Sequence, residues 1–177
     1  MARIDHIAFR VPDRQKTVRF LCEALGYRVQ QEFPICFNEA KTDIAMCTAL
    51  EPPEKIEQLV PWTHMVPGLG QEYHIPPEIF VSDGTPGSIV DEWVNSHGPG
   101  IHHIAIQVDS VQETIDDWRR NGWAEFSTEE PLRCEGLVQV FSKPSQLCGV
   151  IFEFIERDRF GFCKENVKTL MESTRDE

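Results

Sequence analysis

Ile4-Asp5-His6-Ile7-Ala8-Phe9-Arg10-Val11 returns 97 residues later as Ile101-His102-His103-Ile104-Ala105-Ile106-Gln107-Val108. Both copies are apolar, alternating segments, the pattern of a half-buried strand. The histidine comes back at the same place. A duplicated unit brings two such histidines together at a pseudo-two-fold axis, and two imidazoles meeting there suit a metal ion.

The flanking segments repeat as well. After the first strand, near 3–11, Pro12-Asp13 opens a helix to about Leu25, with Val18, Leu21, Cys22 and Leu25 spaced as one buried stripe. Asp13 can cap its start, and Gly26 ends it. Strands are expected near 27–33, 43–49 and 77–82. In the second copy a strand near 101–108 runs into the capping box Ser110-Val111-Gln112-Glu113. The helix this starts continues to about Asn121, with Ile115 and Trp118 on its apolar face, and strands follow near 123–127, 136–142 and 149–155. Each unit reads strand, helix, three strands. The expected fold is α+β: two βαβββ repeats forming a mixed, curled sheet around a cleft. Residues 1–97 form repeat one, 98–157 repeat two and 158–177 a C-terminal helix. Residues 51–74, rich in proline and glycine, form an insertion whose Trp62, Met65 and Leu69 suggest a lid.

The 177 residues suffice for one well-filled core. A net charge of −12 argues against nucleic acid, whose phosphates need clustered Lys and Arg. No apolar run approaches the ~20 residues of a membrane span. The chain enters a strand pattern at once, and none of its six cysteines forms a Cys-x-x-Cys pair. A cytoplasmic protein with reduced thiols is therefore expected.

Glu153 is the most telling residue. It interrupts Val150-Ile-Phe-Glu-Phe-Ile155, where a carboxylate is half-buried on a strand face. An unpaired buried carboxylate is costly, and a divalent cation removes the cost. His6, His103 and Glu153 on one side of a metal leave positions open for substrate and dioxygen. His6 lies 72 residues before Glu78 and His103 lies 50 before Glu153; the excess of 22 is about the size of the insertion. The repeat thus predicts Glu78 as the counterpart of Glu153, a fourth ligand or a base, although Glu78 after Pro76-Pro77 also reads as an exposed loop acid. Period two turns His102 to the face opposite His103. His64, His74 and His97 read as solvated loop residues.

With these residues in place the chain resembles the vicinal oxygen chelate superfamily. Gly100-Ile-His-His-Ile-Ala105, Leu137-Val-Gln-Val-Phe-Ser-Lys-Pro144, Ile151-Phe-Glu-Phe-Ile-Glu-Arg157 and Gly161-Phe-Cys-Lys-Glu-Asn-Val-Lys-Thr-Leu-Met171 are similar, in order, to segments of the catalytic half of 4-hydroxyphenylpyruvate dioxygenases. That resemblance implies Fe(II) held by His6, His103 and Glu153, and a small 2-oxo acid or similar chelating substrate reacting with dioxygen. It implies Gln139 orienting the substrate, Phe141 packing on it, and a gating helix at 161–171 that carries Asn166 and Val167. A family glutamine falls on Ser88, another on His102, and the gate phenylalanine on Val167. Gly98-Pro-Gly-Ile-His-His-Ile-Ala105 is also similar to methylmalonyl-CoA epimerases. Those relatives, with glyoxalase I, imply a lyase or isomerase holding Zn, Co, Ni or Mn through His6, Glu78, His103 and Glu153. Non-catalytic binding proteins share the fold. Related proteins often pair units between chains, so the resemblance also implies a homodimer.

Overall fold

The computed structural model describes residues 3–52, 77–158 and 161–175. The expected lid therefore falls almost wholly outside the described residues, as do His64 and His74.

The elements run β1 (Arg3–Arg10), α1 (Arg14–Leu25), β2 (Arg28–Cys36), β3 (Ile44–Glu51), β4 (Glu78–Gly84), α2 (Ile89–His97), β5 (Gly100–Gln107), α3 (Val111–Arg120), β6 (Leu132–Cys134), β7 (Leu137–Phe141), β8 (Ile151–Arg157) and α4 (Lys164–Ser173). The strands form one mixed, curled sheet in the order β2-β3-β4-β1-β5-β8-β7-β6. From the centre outward the two halves match. β1 pairs parallel with β4 and β5 parallel with β8; β1 and β5 meet antiparallel. The two copies of the opening motif are thus neighbours at the middle of the sheet.

Period-two alternation sorts side chains onto two faces. On one face α1 packs Leu21 against Val11, Tyr27, Leu50, Ile79 and Val81. On the same face α3 packs Val111 and Ile115 against Phe126, Val140 and Phe154. Truncating fully buried Ile115 to alanine costs about 2–5 kcal/mol, because the rigid sheet cannot close the gap. The opposite, cleft face carries Ala8, Cys47 and Phe80, covered by Phe162, Val167 and Met171.

The helix signals act as expected. The Asp13 side chain accepts from Lys16 N, and Gly26 takes a left-handed φ of 76° that a side chain would strain. Ser110 caps α3 by accepting from Glu113 N. Three features differ. The 123–127 segment makes a single bridge, Phe126 to Ser142, because Phe126 turns into the core while Trp123 and Glu125 face solvent. The sheet edge there belongs to β6, three residues long and too short for periodicity to reveal. Helix α2 covers the end of the first repeat, so His97 closes a helix and stacks on Trp93 at 5.0 Å.

Candidate metal centre

Three adjacent strands supply one donor each: His6 from β1, His103 from β5 and Glu153 from β8. All three are buried, although polar side chains seldom are without a reason. His6 Nε2 lies 3.3 Å from His103 Nε2, and each lies 3.1 Å from Glu153 Oε2. Donors about 2.1 Å from one ion lie about 3.0 Å apart in an octahedral face and about 3.4 Å apart in a tetrahedral one. The triangle therefore has the size a first-row divalent ion requires.

Each donor residue is also held by its second polar atom. His6 Nδ1 meets Asp5 Oδ1 at 2.7 Å. His103 Nδ1 meets His102 Nδ1 at 2.8 Å. Glu153 Oε1 accepts from Gln139 Nε2 at 2.6 Å, and Gln139 Oε1 accepts from Asn166 Nδ2 at 3.1 Å. Such outer partners fix ring tautomer and orientation. If His103 turns its Nε2 lone pair to an ion, its proton is on Nδ1 and goes to His102 Nδ1; His102 then carries its own proton on Nε2.

Two β-bulges make this possible. Between the pairs Ile4↔Ile106 and Ile7↔Ile104, β1 takes three steps against two on β5. Between Ala8↔His103 and Phe9↔Ile101, β5 takes two steps against one on β1. An extra residue breaks strict alternation. Asp5 and His102, each preceding a histidine, can therefore lie beside it. This corrects the expectation for His102: it is 6% exposed and lines the cleft instead of the far face.

The register also corrects the repeat arithmetic for Glu78. Ala105 pairs with Glu153 in the second half, and its counterpart Ala8 pairs with Phe80 in the first. The position equivalent to Glu153 is therefore Phe80, whose ring lines the cavity. Glu78 is two residues away, opposite His6, and its Oε2 lies 3.3 Å from Arg157 Nη1, while Nη2 of the same arginine lies 2.9 Å from Asp5 Oδ1. It is not among the converging donors. Burial raises its pKa, against the pull of Arg157.

The remaining expected residues divide. Gln139, Phe141 and Val167 line the cavity, and the Phe141 ring lies 4.6 Å from His103. Asn166 reaches the donors only through Gln139. Ser88 does not line the cavity. It caps α2 by accepting from Asp91 N, and its Oγ fills the space a side chain on Gly84 would need. Asp5, Phe80, Phe162 and Arg10 are neighbours of the donors that period and spacing did not single out. The one available signal was position: Asp5 stands to His6 as His102 stands to His103.

Burial disfavours charge on both histidines, but the outcomes differ. At His6 burial is outweighed by Glu153 and by Asp5, which raise its pKa to about 9. At His103 burial, helped by the charges of His6 and Arg10, outweighs Glu153 and lowers the pKa. Glu153 is buried too, yet the two imidazoles hold its carboxyl far below the usual range. In the metal-free fold these shifts favour a proton on His6 beside an ionised Glu153 and disfavour one on His103. A metal ion would displace the His6 proton.

The cavity over the triangle has mostly carbon walls, among them Phe80, Phe141, Phe162 and Leu170. No helix of the described residues is long and apolar enough to cross a membrane.

Residues 5–135 match the family model described as the glyoxalase/bleomycin resistance protein/dioxygenase superfamily. Human mitochondrial methylmalonyl-CoA epimerase is 24% identical over 153 residues, 86% of this chain and 73% of that protein. Among solved structures, a mutant of 4-hydroxymandelate synthase from Streptomyces coelicolor superposes with a TM-score of 0.72 at 18% identity, covering 97% of this chain and 53% of the synthase. Methylmalonyl-CoA epimerase from Mycobacterium tuberculosis superposes with a TM-score of 0.60 at 18% identity, covering 88% of each chain. At these identities the superpositions speak to the fold.

Proposed function

The chain belongs to the glyoxalase/bleomycin resistance protein/dioxygenase superfamily, and from that premise we propose that it is a mononuclear Fe(II) dioxygenase acting on a small chelating substrate of the 2-oxo acid type. One observation carries the reading. The three donors His6, His103 and Glu153 stand at matching points of the two halves, and the fourth matching point is Phe80. A phenyl ring donates nothing to a metal, so the three donors would hold an ion with coordination positions to spare for a chelating substrate. Ferrous iron held there supplies the one-electron chemistry that lets dioxygen react with a closed-shell organic acid.

The chain's own residues do the rest. Asp5, His102 and Gln139 hold the donors in orientation. Phe80, Phe141 and Phe162 exclude water from the reacting carbons. Asn166 ties α4 to Gln139, and so to Glu153, and couples the covering helix to the donor set.

An epimerase or lyase with a redox-inert ion is the second reading, favoured by the curated relatives and by Glu78, the half-buried acid opposite His6 on β4. Among the described cavity-lining residues Glu153 is the sole carboxylate, which weakens it, since proton abstraction needs a base beside the substrate. Elemental analysis of anaerobically purified protein, followed by oxygen uptake with a panel of 2-oxo acids, tests the proposal. Iron and ferrous-dependent oxygen uptake support it. Zinc, cobalt, nickel or manganese, with deuterium exchange at a substrate α-carbon without oxygen, would replace it with the second reading.

A further inference from the structure

Arg10 shares the cleft face of β1 with His6 and Ala8, four residues beyond His6, where it pairs with Ser82 of β4 and Gly100 of β5. It is only 2% exposed and lines the same cavity as the three donors. Among the described residues neither Nη1 nor Nη2 has a hydrogen-bond partner. Among the described residues no carboxylate pairs with it, and Glu32 and Asp83 pair with Arg14 instead. Cys47, also close, is a fully buried thiol. The Arg10 guanidinium carbon lies 5.6 Å over the Trp93 ring, which also meets His102 edge-on at 5.5 Å. His102 Nε2 also lacks a hydrogen-bond partner among the described residues. One wall of the cavity therefore holds a buried cation and a second buried ring nitrogen, both without acceptors.

An aromatic face offsets only part of the cost of burying a guanidinium. A planar, two-oxygen anion would satisfy both Nη groups at once, which is why arginine is used for carboxylates. We propose that Arg10 anchors a carboxylate at the end of the substrate remote from the metal donors, so that the substrate is a short oxo dicarboxylate. The proposal deepens the reading above, because it takes the other end of the molecule to chelate at His6, His103 and Glu153.

The test compares binding of three oxo dicarboxylates, oxaloacetate, 2-oxoglutarate and 2-oxoadipate, with that of the same chains ending in methyl, 2-oxobutyrate, 2-oxopentanoate and 2-oxohexanoate. Anaerobic titration calorimetry, with intrinsic tryptophan fluorescence beside it, reports binding without turnover. The wild-type protein is expected to bind at least one dicarboxylate roughly tenfold or more tightly than its methyl partner, as charged hydrogen bonds allow. Arg10→Gln is expected to bring that ratio near one with metal content unchanged. Equal affinities across the wild-type series, as when a carboxylate of the chain itself fills the fork, would overturn the proposal, and so would a ratio that survives Arg10→Gln. The wild-type series decides alone if that variant does not fold. Repeating it after metal removal separates the two assignments: a fall in overall affinity with the ratio kept supports both, unchanged overall affinity counts against chelation at the donors, and a ratio that drops to one counts against Arg10.

Discussion

His103→Ala removes one corner of the donor triangle while leaving His6 Nε2 and Glu153 Oε2 3.1 Å apart. Structural zinc sites contribute about 10–16 kcal/mol across four ligands, or about 2.5–4 kcal/mol for each. Losing His103 therefore predicts metal binding weaker by roughly two to three orders of magnitude. The neighbouring imidazole provides an internal control. His102 lies beside His103 but meets it Nδ1 to Nδ1 at 2.8 Å, so it orients a donor without being one. His102→Ala is expected to weaken metal binding by only about 10–100-fold. Both variants lose a buried ring of similar size, so a general packing defect would affect them alike. The assay is anaerobic competition between each metal-free protein and a chromogenic chelator for Fe(II) and Co(II), with circular dichroism confirming that the variants are folded. Wild-type affinity in His103→Ala, or a larger loss in His102→Ala than in His103→Ala, would refute the donor assignment.

Three further expectations follow from contacts around the triangle. The His6 pKa is raised from 6.5 to about 9 in the metal-free fold. Its contribution to stability is therefore fully present below about pH 6.5 and lost as pH rises through 9, roughly a few kcal/mol in all; thermal melts of chelator-treated protein across that range check it, and added metal is expected to stabilise more as pH rises. Gln139→Ala removes the 2.6 Å hydrogen bond to Glu153 and leaves Asn166 Nδ2 without its acceptor, and is expected to weaken metal binding about 10–100-fold in the same competition assay. Ser88→Ala is expected to lower stability by about 1 kcal/mol through loss of the α2 cap, read in denaturant melts, with metal binding and ligand affinity unchanged.

Local chemistry and spacing made much of the molecule legible from the chain alone: the repeated strands, the capped helices α1 and α3, the C-terminal helix, and the three buried polar residues His6, His103 and Glu153. A strand's period and a helix cap are written within a few residues, and a carboxylate amid Val-Ile-Phe and Phe-Ile announces its own anomaly. What tertiary structure alone decided depends on strand pairing. Whether Glu78 or Phe80 matches Glu153 turns on the parallel register of β1 with β4, across an insertion that blurs the count by two residues. A two-residue shift keeps the same face of the sheet, so no periodicity could reveal it. Likewise His102 enters the cleft, and Asp5 reaches His6, where the two bulges break the alternation on which their expected orientations rested. The isolation of Arg10 is of the same kind: an arginine in a strand reads as ordinary surface until it is seen buried with Nη1 and Nη2 offered no acceptor among the described residues.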